Sequence, residues 1–248
     1  MRREESAADT LEFIDATADV QSESSRLAVD AGIANLRVLG IAGNYAMPVE
    51  LTVQTSTGLH RGVHMSRLVK AANGRKTRGM EQWLRWICGE VNRSQPGSSV
   101  TASFELPFGD QFAKVTMRAT QRGAITYRYV VGGMTACPCS KKMIGIGHMQ
   151  RAELTVVLRS EKVLDSMKAV ERIAECFSAM PREHMKRLEE AKKILEAQAN
   201  PRFAEDLVRE CVSRFPDALF VGGRCFESIH AHDAIATWSA KPGWMPAV

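Results

Sequence analysis

The pattern of apolar and polar positions divides the chain into short strand-like runs and a few helical ones. Val49-Glu-Leu-Thr-Val-Gln-Thr55 sets Val, Leu and Val against Glu, Thr and Gln, the two-residue period of a strand with one buried face. Ala34 to Ile41 precedes it as a similar run, and Ser56-Thr-Gly58 ends it in a polar turn. A helical period follows. Met80, Leu84, Ile87 and Val91 fall on one stripe, with Thr77 placed to cap the helix and Pro96-Gly97 to close it. Val100 to Leu106, Phe112 to Thr120 and Ile125 to Val131 return to the strand pattern, and Gly132-Gly133 opens a loop. After that loop, Ala152 to Leu158 reads as a strand. Val163, Met167, Val170, Ala174 and Phe177 mark a helical face, which Pro181 interrupts and which Met185, Leu188 and Leu195 continue on a charged companion. Asn200-Pro201 predicts a helix start, cap then first-turn proline, leading to Cys211. Leu219 to Cys225 and Ala234 to Ser239 close the pattern as strands.

Strands, helix and strands, followed by the same sequence again, predict an α+β fold with helices on one face of antiparallel sheet. The expected division is an N-terminal arm over 1–30, a first module over 31–130 and a second over 131–248. Acidic residues Glu4, Glu5, Asp9, Glu12, Asp15, Asp19 and Glu23 and a shortage of core formers make residues 1–25 the expected arm.

Composition narrows the class. The 248 residues are 45% apolar, ordinary for a globular protein, and no run approaches the roughly 18 apolar residues of a membrane span. The charged opening, Met1-Arg-Arg-Glu-Glu5, has no apolar stretch behind it, so the expectation is a reducing cytoplasm with the six cysteines as thiols. A net charge of +5 suits nucleic acid or a small anionic substrate equally.

The chemistry gathers in residues 135–151. Cys137 and Cys139 flank one proline and His148 follows, so that one loop can bring a thiolate and an imidazole to one borderline metal ion. Further ligands have to come from elsewhere. Glu227-Ser-Ile-His-Ala-His232 is the candidate, with a carboxylate and two histidines within six residues. Cys88, Cys176 and Cys211 lie on apolar helix faces and read as core.

These segments carry a resemblance. Asp19-Val-Gln-Ser22, Arg61-Gly-Val-His-Met-Ser-Arg67, Cys137-Pro-Cys-Ser-Lys141, Gly147-His-Met-Gln-Arg151, Asn200-Pro-Arg-Phe-Ala-Glu-Asp206 and Phe226-Glu-Ser-Ile-His-Ala-His232 match, in order, motifs of the type IB GTP cyclohydrolases, a tunnelling-fold family. The chain departs from that pattern too: the Cys-to-His loop is one residue shorter, Met149 and Ala231 replace asparagines, and the region between Leu207 and Phe226 is compressed. The resemblance implies tandem tunnelling-fold modules whose sheets join into an oligomeric barrel, a homotetramer with sites between subunits. It implies GTP as substrate, opened at C8 with loss of formate to give 7,8-dihydroneopterin triphosphate, the first step toward folate and other pterins. It also implies one divalent ion, Fe(II), Zn(II) or Mn(II), held by Cys137, His148, Glu227 and His230. His232 becomes an acid/base group, Cys139 a support of the metal ligands or a proton-transfer group, Glu205 the guanine anchor, and Ser66, Arg67, Gln150 and Arg151 the triphosphate ligands. His60 and His64 read as supporting or surface residues.

Two other readings compete. One keeps the fold and stops at a cyclic phosphate, as the shortened loop and replaced asparagines could mark. The other is a metal-containing nucleic-acid module, motivated by the basic charge; it ranks last, because a second Cys pair at finger spacing is missing and aromatics make up only 6% of the chain.

Overall fold

The protein is described by a computed structural model over residues 19–42, 45–75, 77 and 79–241. The acidic positions Glu4, Glu5, Asp9, Glu12 and Asp15 lie outside the described residues, as does residue 78 beside the expected Thr77 cap.

Eight strands form one antiparallel sheet in chain order. They are β1 (Asp30–Ala42), β2 (Tyr45–Ser56), β3 (Ser99–Phe108), β4 (Gln111–Thr120), β5 (Ile125–Ala136), β6 (Met149–Ser160), β7 (Phe220–Phe226) and β8 (Ala234–Ser239). Helices α1 (Met65–Asn73) and α2 (Met80–Asn92) fill the β2–β3 connection, and α3 (Pro138–Ile144) lies between β5 and β6. Helices α4 (Ser166–Ala174), α5 (Arg187–Ala199) and α6 (Ala204–Arg214) lie between β6 and β7. Two strands, helices and two strands therefore occur twice, as the periodicity predicts. Residue 130, the expected module boundary, falls inside β5; the turn at 121–124 is the nearest break between strands.

Alternate residues of the central strands face the helices and are buried, Val100, Ala102 and Phe104 on β3 and Val115, Met117 and Ala119 on β4. Against them α2 buries Met80, Trp83, Leu84, Ile87 and Val91, the stripe seen in the sequence. Each such side chain contributes about 1.5–3 kcal/mol when fully buried. Cys88, Cys176 and Cys211 are buried as expected. The sheet's other face carries half-exposed polar residues, Thr101, Ser103 and Thr116 among them.

Several boundaries differ from the sequence pattern. Gly132 and Gly133 lie within β5 instead of opening a loop, because the Phe177 ring packs where a Cβ at 133 would stand, 2.2 Å from it. Strand β6 starts at Met149, before Ala152, which brings Gln150 and Arg151 into the sheet. Helix α2 is capped at Gly79, with the Thr77 hydroxyl donating to its carbonyl. Helix α4 starts after Asp165, whose carboxylate accepts from Lys168 N; Val163 and Met167 stay exposed and Ala169, Val170 and Ile173 form the buried face. Asn200 ends α5 rather than starting α6, which begins after Phe203, where Asp206 accepts from Phe203 N at 3.0 Å. On α5 the expected face fails: Leu188 and Leu195 are exposed and only Ala197 is buried.

The described part of the arm is fastened to the body. Ser25 N donates to Leu59 O, Arg61 N to Glu23 O and Gly62 N to Gln21 O.

Candidate active site

The ends of β5, β6, β7 and β8 meet at one end of the sheet, and their connections carry most of the reactive residues. Thr135 pairs with Gln150, Arg151 with Phe226 and Cys225 with Ala234, so the segments 137–148 and 227–233 leave the sheet side by side. Cys137 stands at the cap of α3 with Pro138 in the first turn, where a missing N–H costs nothing. Its N–H donates to His148 O at 2.9 Å, closing the loop at its base. Gly147 is required there, since a Cβ would stand 2.6 Å from Cys137 O. The Gln198 side chain of α5 grips Gly147 from both sides, accepting from its N–H and donating to its carbonyl, each at 2.8 Å. Lys141 Nζ donates to Gln198 O, and Ser140 Oγ accepts from His148 N at 3.1 Å.

This framework aims His148 at the second segment. Its Nδ1 lies 3.9 Å from the Glu227 carboxylate and 3.3 Å from Ser228 Oγ. The His230 ring stands edge-on to His148 at 6.4 Å, and His232 stacks on His230 at 5.3 Å. Glu227 and His148 are mostly shielded, whereas His230, His232 and Cys139 are exposed. Among the described residues no three His, Cys, Asp or Glu side chains converge closely enough to hold a metal ion. The donor chemistry, thiol, imidazole and carboxylate on adjoining loops, still suits a borderline divalent ion.

Glu205 lies in the first turn of α6 and is exposed. Burial raises the Cys225 thiol; a bond with Thr135 opposes this, and the charges of Glu227, Glu205 and Asp233 add to it. Gln150 and Arg151 are neighbours in β6 and leave opposite faces. Gln150 is buried with its Oε1 lacking a partner among the described residues, while Arg151 borders a cavity of about 300 Å³ with Glu153, Arg182 and Phe226.

Ser66 and Arg67 are elsewhere. They sit on α1, which follows the far end of β2. Because successive strands alternate direction, that end is opposite the one bearing His148. Along the sheet β2 and β7 are five spacings apart, roughly 24 Å. One copy of the chain does not bring Ser66 and Arg67 to His148.

The sequence pattern did not single out Gln198, Ser140 or Ser228, and polar residues in helices and turns have no period that could reveal them. Met149 is absorbed by packing against Ala136, Ala179 and Ala197.

Comparison with known proteins gives this geometry a family. A family model described as Type I GTP cyclohydrolase folE2 matches residues 19–236. The GTP cyclohydrolase MptA of Picrophilus torridus is 30% identical over 175 residues, 60% of this chain and 64% of its own length. The GTP cyclohydrolase FolE2 of Geobacter sp. (strain M21) is 29% identical over 196 residues, 71% of this chain and 73% of its own. The chain thus spans just under two thirds of the first relative and somewhat more of the second. Among solved structures, uricase from Arthrobacter globiformis aligns over 91% of this chain and 98% of its own at 9% identity, with a TM-score of 0.45, too distant a likeness to inform the site. The match over 19–236 spans both halves of the sheet and every segment described above, and the chain belongs to the type I GTP cyclohydrolase folE2 family.

Proposed function

We propose that the chain is a metal-dependent GTP cyclohydrolase: it adds water at C8 of the guanine, opens the imidazole ring, releases that carbon as formate and yields 7,8-dihydroneopterin triphosphate. The observation that carries this reading is that His148, Glu227, His230 and His232 neighbour one another at one end of the sheet in a chain matching the family over 19–236.

Cys137, His148, Glu227 and His230 hold one divalent ion, Fe(II), Zn(II) or Mn(II). When bound, it supplies Lewis acidity that lowers the pKa of an attacking water. Glu205 receives the guanine, its carboxylate accepting from the N1 and 2-amino hydrogens, an acceptor-only group facing two donors. His232, exposed and stacked on His230, gives and takes protons at the ring nitrogens as the C8 bonds break, and Cys139 is a second proton carrier. Gln150 and Arg151 belong to the triphosphate side of the site, Arg151 from the rim of the cavity it shares with Arg182 and Phe226.

Ser66 and Arg67 hold the triphosphate from a second copy, since their own chain keeps them at the other end of the sheet. Exposed Met143, Ile144, Ile146 and Ile229 beside the His148 cluster supply apolar surface for such a contact. The open edges of β1 and β8 are free to pair between copies, as in a barrel-forming tetramer. Light scattering that returns a monomer at assay concentration would remove this part of the reading.

The test of the activity is anaerobic incubation with GTP and each metal in turn, following formate and identifying the pterin by mass. Formate with the linear triphosphate is expected. Formate with a cyclic phosphate assigns the alternative product; no formate with any metal, despite stoichiometric metal binding, refutes the activity.

A further inference from the structure

Half of the candidate site sits on a connection with little backbone to hold it. Pairing between β7 and β8 ends at Cys225 and Ala234, and among the described residues 227–233 make no backbone–backbone hydrogen bond. The connection at 137–148 is closed at its base by the Cys137–His148 bond and gripped by Gln198. The β7–β8 connection is held by side chains instead. Glu227 and Ser228 approach His148, and the His230 ring stands between those of His148 and His232.

One side chain fastens both of its ends. Arg224 and Phe226 lie two apart on β7 and so leave the same face of the sheet. The Arg224 guanidinium lies over the Phe226 ring, 4.9 Å from its centroid, where the connection begins. It also reaches Asp233, the last residue before β8. Nε donates to Asp233 Oδ2 at 2.8 Å, and Nη2 donates to the same oxygen at 2.5 Å. Directly across the ladder, the register partner of Arg224 on β6 is Glu153, yet among the described residues Arg224 forms its ion pair with Asp233 alone. The guanidinium thus turns along its own strand toward the connection.

The Arg224 side chain is 56% exposed and that of Asp233 29%, and a pair so open to solvent adds little to global stability. Its effect is local. With no backbone bond inside the connection, this pair fixes the span that Glu227, His230 and His232 have to cross, and a misplacement of about 1 Å in reacting groups can cost roughly a hundredfold in rate. We propose that Arg224 is a positioning residue for the metal-binding and proton-transfer groups of the β7–β8 connection. It acts through Phe226 at the entrance and Asp233 at the exit, and not by contact with ion or substrate. The inference rests on the metal set proposed above, and its test separates the two.

Competition for Zn(II) between the protein and a chromogenic chelator, without GTP, reads the positioning; formate release from GTP at saturating metal reads its consequence. Arg224→Gln and Asp233→Ala each break the pair at one partner. Each is expected to lower Zn(II) affinity about tenfold or more and kcat by a similar factor. KM for GTP should stay within about twofold, because Glu205 and the triphosphate ligands lie on other elements. Melting temperatures without metal should stay within about 2 °C of the wild type. The double variant should lose no more than either single one, as for two groups acting as a unit. Arg224→Lys keeps the charge without the planar fork, and should restore part of the loss. Wild-type Zn(II) affinity and kcat in both single variants overturn the proposal and leave the cyclohydrolase reading standing. Additive losses in the double variant overturn it too, since Arg224 and Asp233 would then act independently, as does a wild type that binds no Zn(II). If the wild type binds Zn(II) and releases no formate with any metal, while both variants bind Zn(II) at least about tenfold more weakly, Arg224 keeps its role and the cyclohydrolase reading falls.

Discussion

The β2–α1 and β5–β6 connections both carry a histidine beside basic residues, yet they are built in opposite ways. In the first, side chains are committed to partners: His64 to Asp19, Arg61 to Glu23, and His60 Nδ1 to the Ser22 backbone carbonyl. In the second, the backbone is committed and the side chains are not. Gln198, Ser140 and the Cys137–His148 bond fix the loop, whereas among the described residues the Cys137 and Cys139 thiols and the His230 and His232 rings make no hydrogen bond. The first connection is largely tied up in such pairs, with the arm held against it. The second is a rigid frame around uncommitted donors, which is what ion binding and proton transfer require.

The contrast is broken most severely at the second connection. Cys137→Ala or His148→Ala should abolish formate release while the circular dichroism spectrum and melting temperature hold, because neither side chain packs the core. Retained activity with normal metal content would remove that residue from the site. Gln198→Ala should follow, lowering metal affinity and turnover by about 10–100-fold although Gln198 touches neither ion nor substrate. Metal titration by competition with a chelator reads that effect. Glu205→Gln should raise KM for GTP by about tenfold or more, the worth of a hydrogen bond to a charged group, and leave metal binding intact. The opposite pattern would reassign Glu205.

Thiol chemistry sharpens the same contrast. Alkylation of the native protein near neutral pH should label exposed Cys139 and half-buried Cys137 first, with mass mapping as the readout. Burial pushes the Cys88 thiol up to about 11, and Cys211 is raised by its bond with Cys176 and by burial. Those two should stay unlabelled until the protein unfolds.

The smallest effect lies away from both connections. Arg214 donates to Glu210 at 2.8 Å and, with burial opposing, holds its carboxyl below the ordinary 4.5. A depressed carboxylate pKa stabilises the fold above the unfolded value, and the gain is lost as pH falls through the folded one. Glu210→Gln should therefore cost up to about 1 kcal/mol at neutral pH, and the difference from wild type should shrink below pH 4.5. Denaturant melts at two pH values measure it.

The sequence made the frame legible where a period existed. The alternation in Val49–Thr55 and the stripe of Met80, Leu84, Ile87 and Val91 specify β2 and α2 because burial selects those positions directly. It misled where packing overrode a local signal: Gly132-Gly133 reads as a turn until Phe177 lies on it, and Asn200-Pro201 reads as a helix start although Asn200 closes α5. Helices α1 and α3 were hidden in segments dense with His, Arg, Cys and Gly, whose composition reports chemistry more than period. The residues carrying chemistry were legible by type and motif. Their supports were not: Gln95 and Gln198 act through side-chain amide contacts that only the folded chain creates.

The central claim is that the two connections, at opposite ends of one sheet, serve one nucleotide from two copies of the chain. Mixing two inactive proteins tests it most directly: His148→Ala, which spoils the β5–β6 connection, and Ser66→Asp with Arg67→Glu, which spoils α1. Unfolded together and refolded, they should recover formate release from GTP at roughly a quarter of the wild-type rate, the statistical share for random pairing. A mixture as inactive as its components, with mixed oligomers demonstrated by mass, would contradict the account.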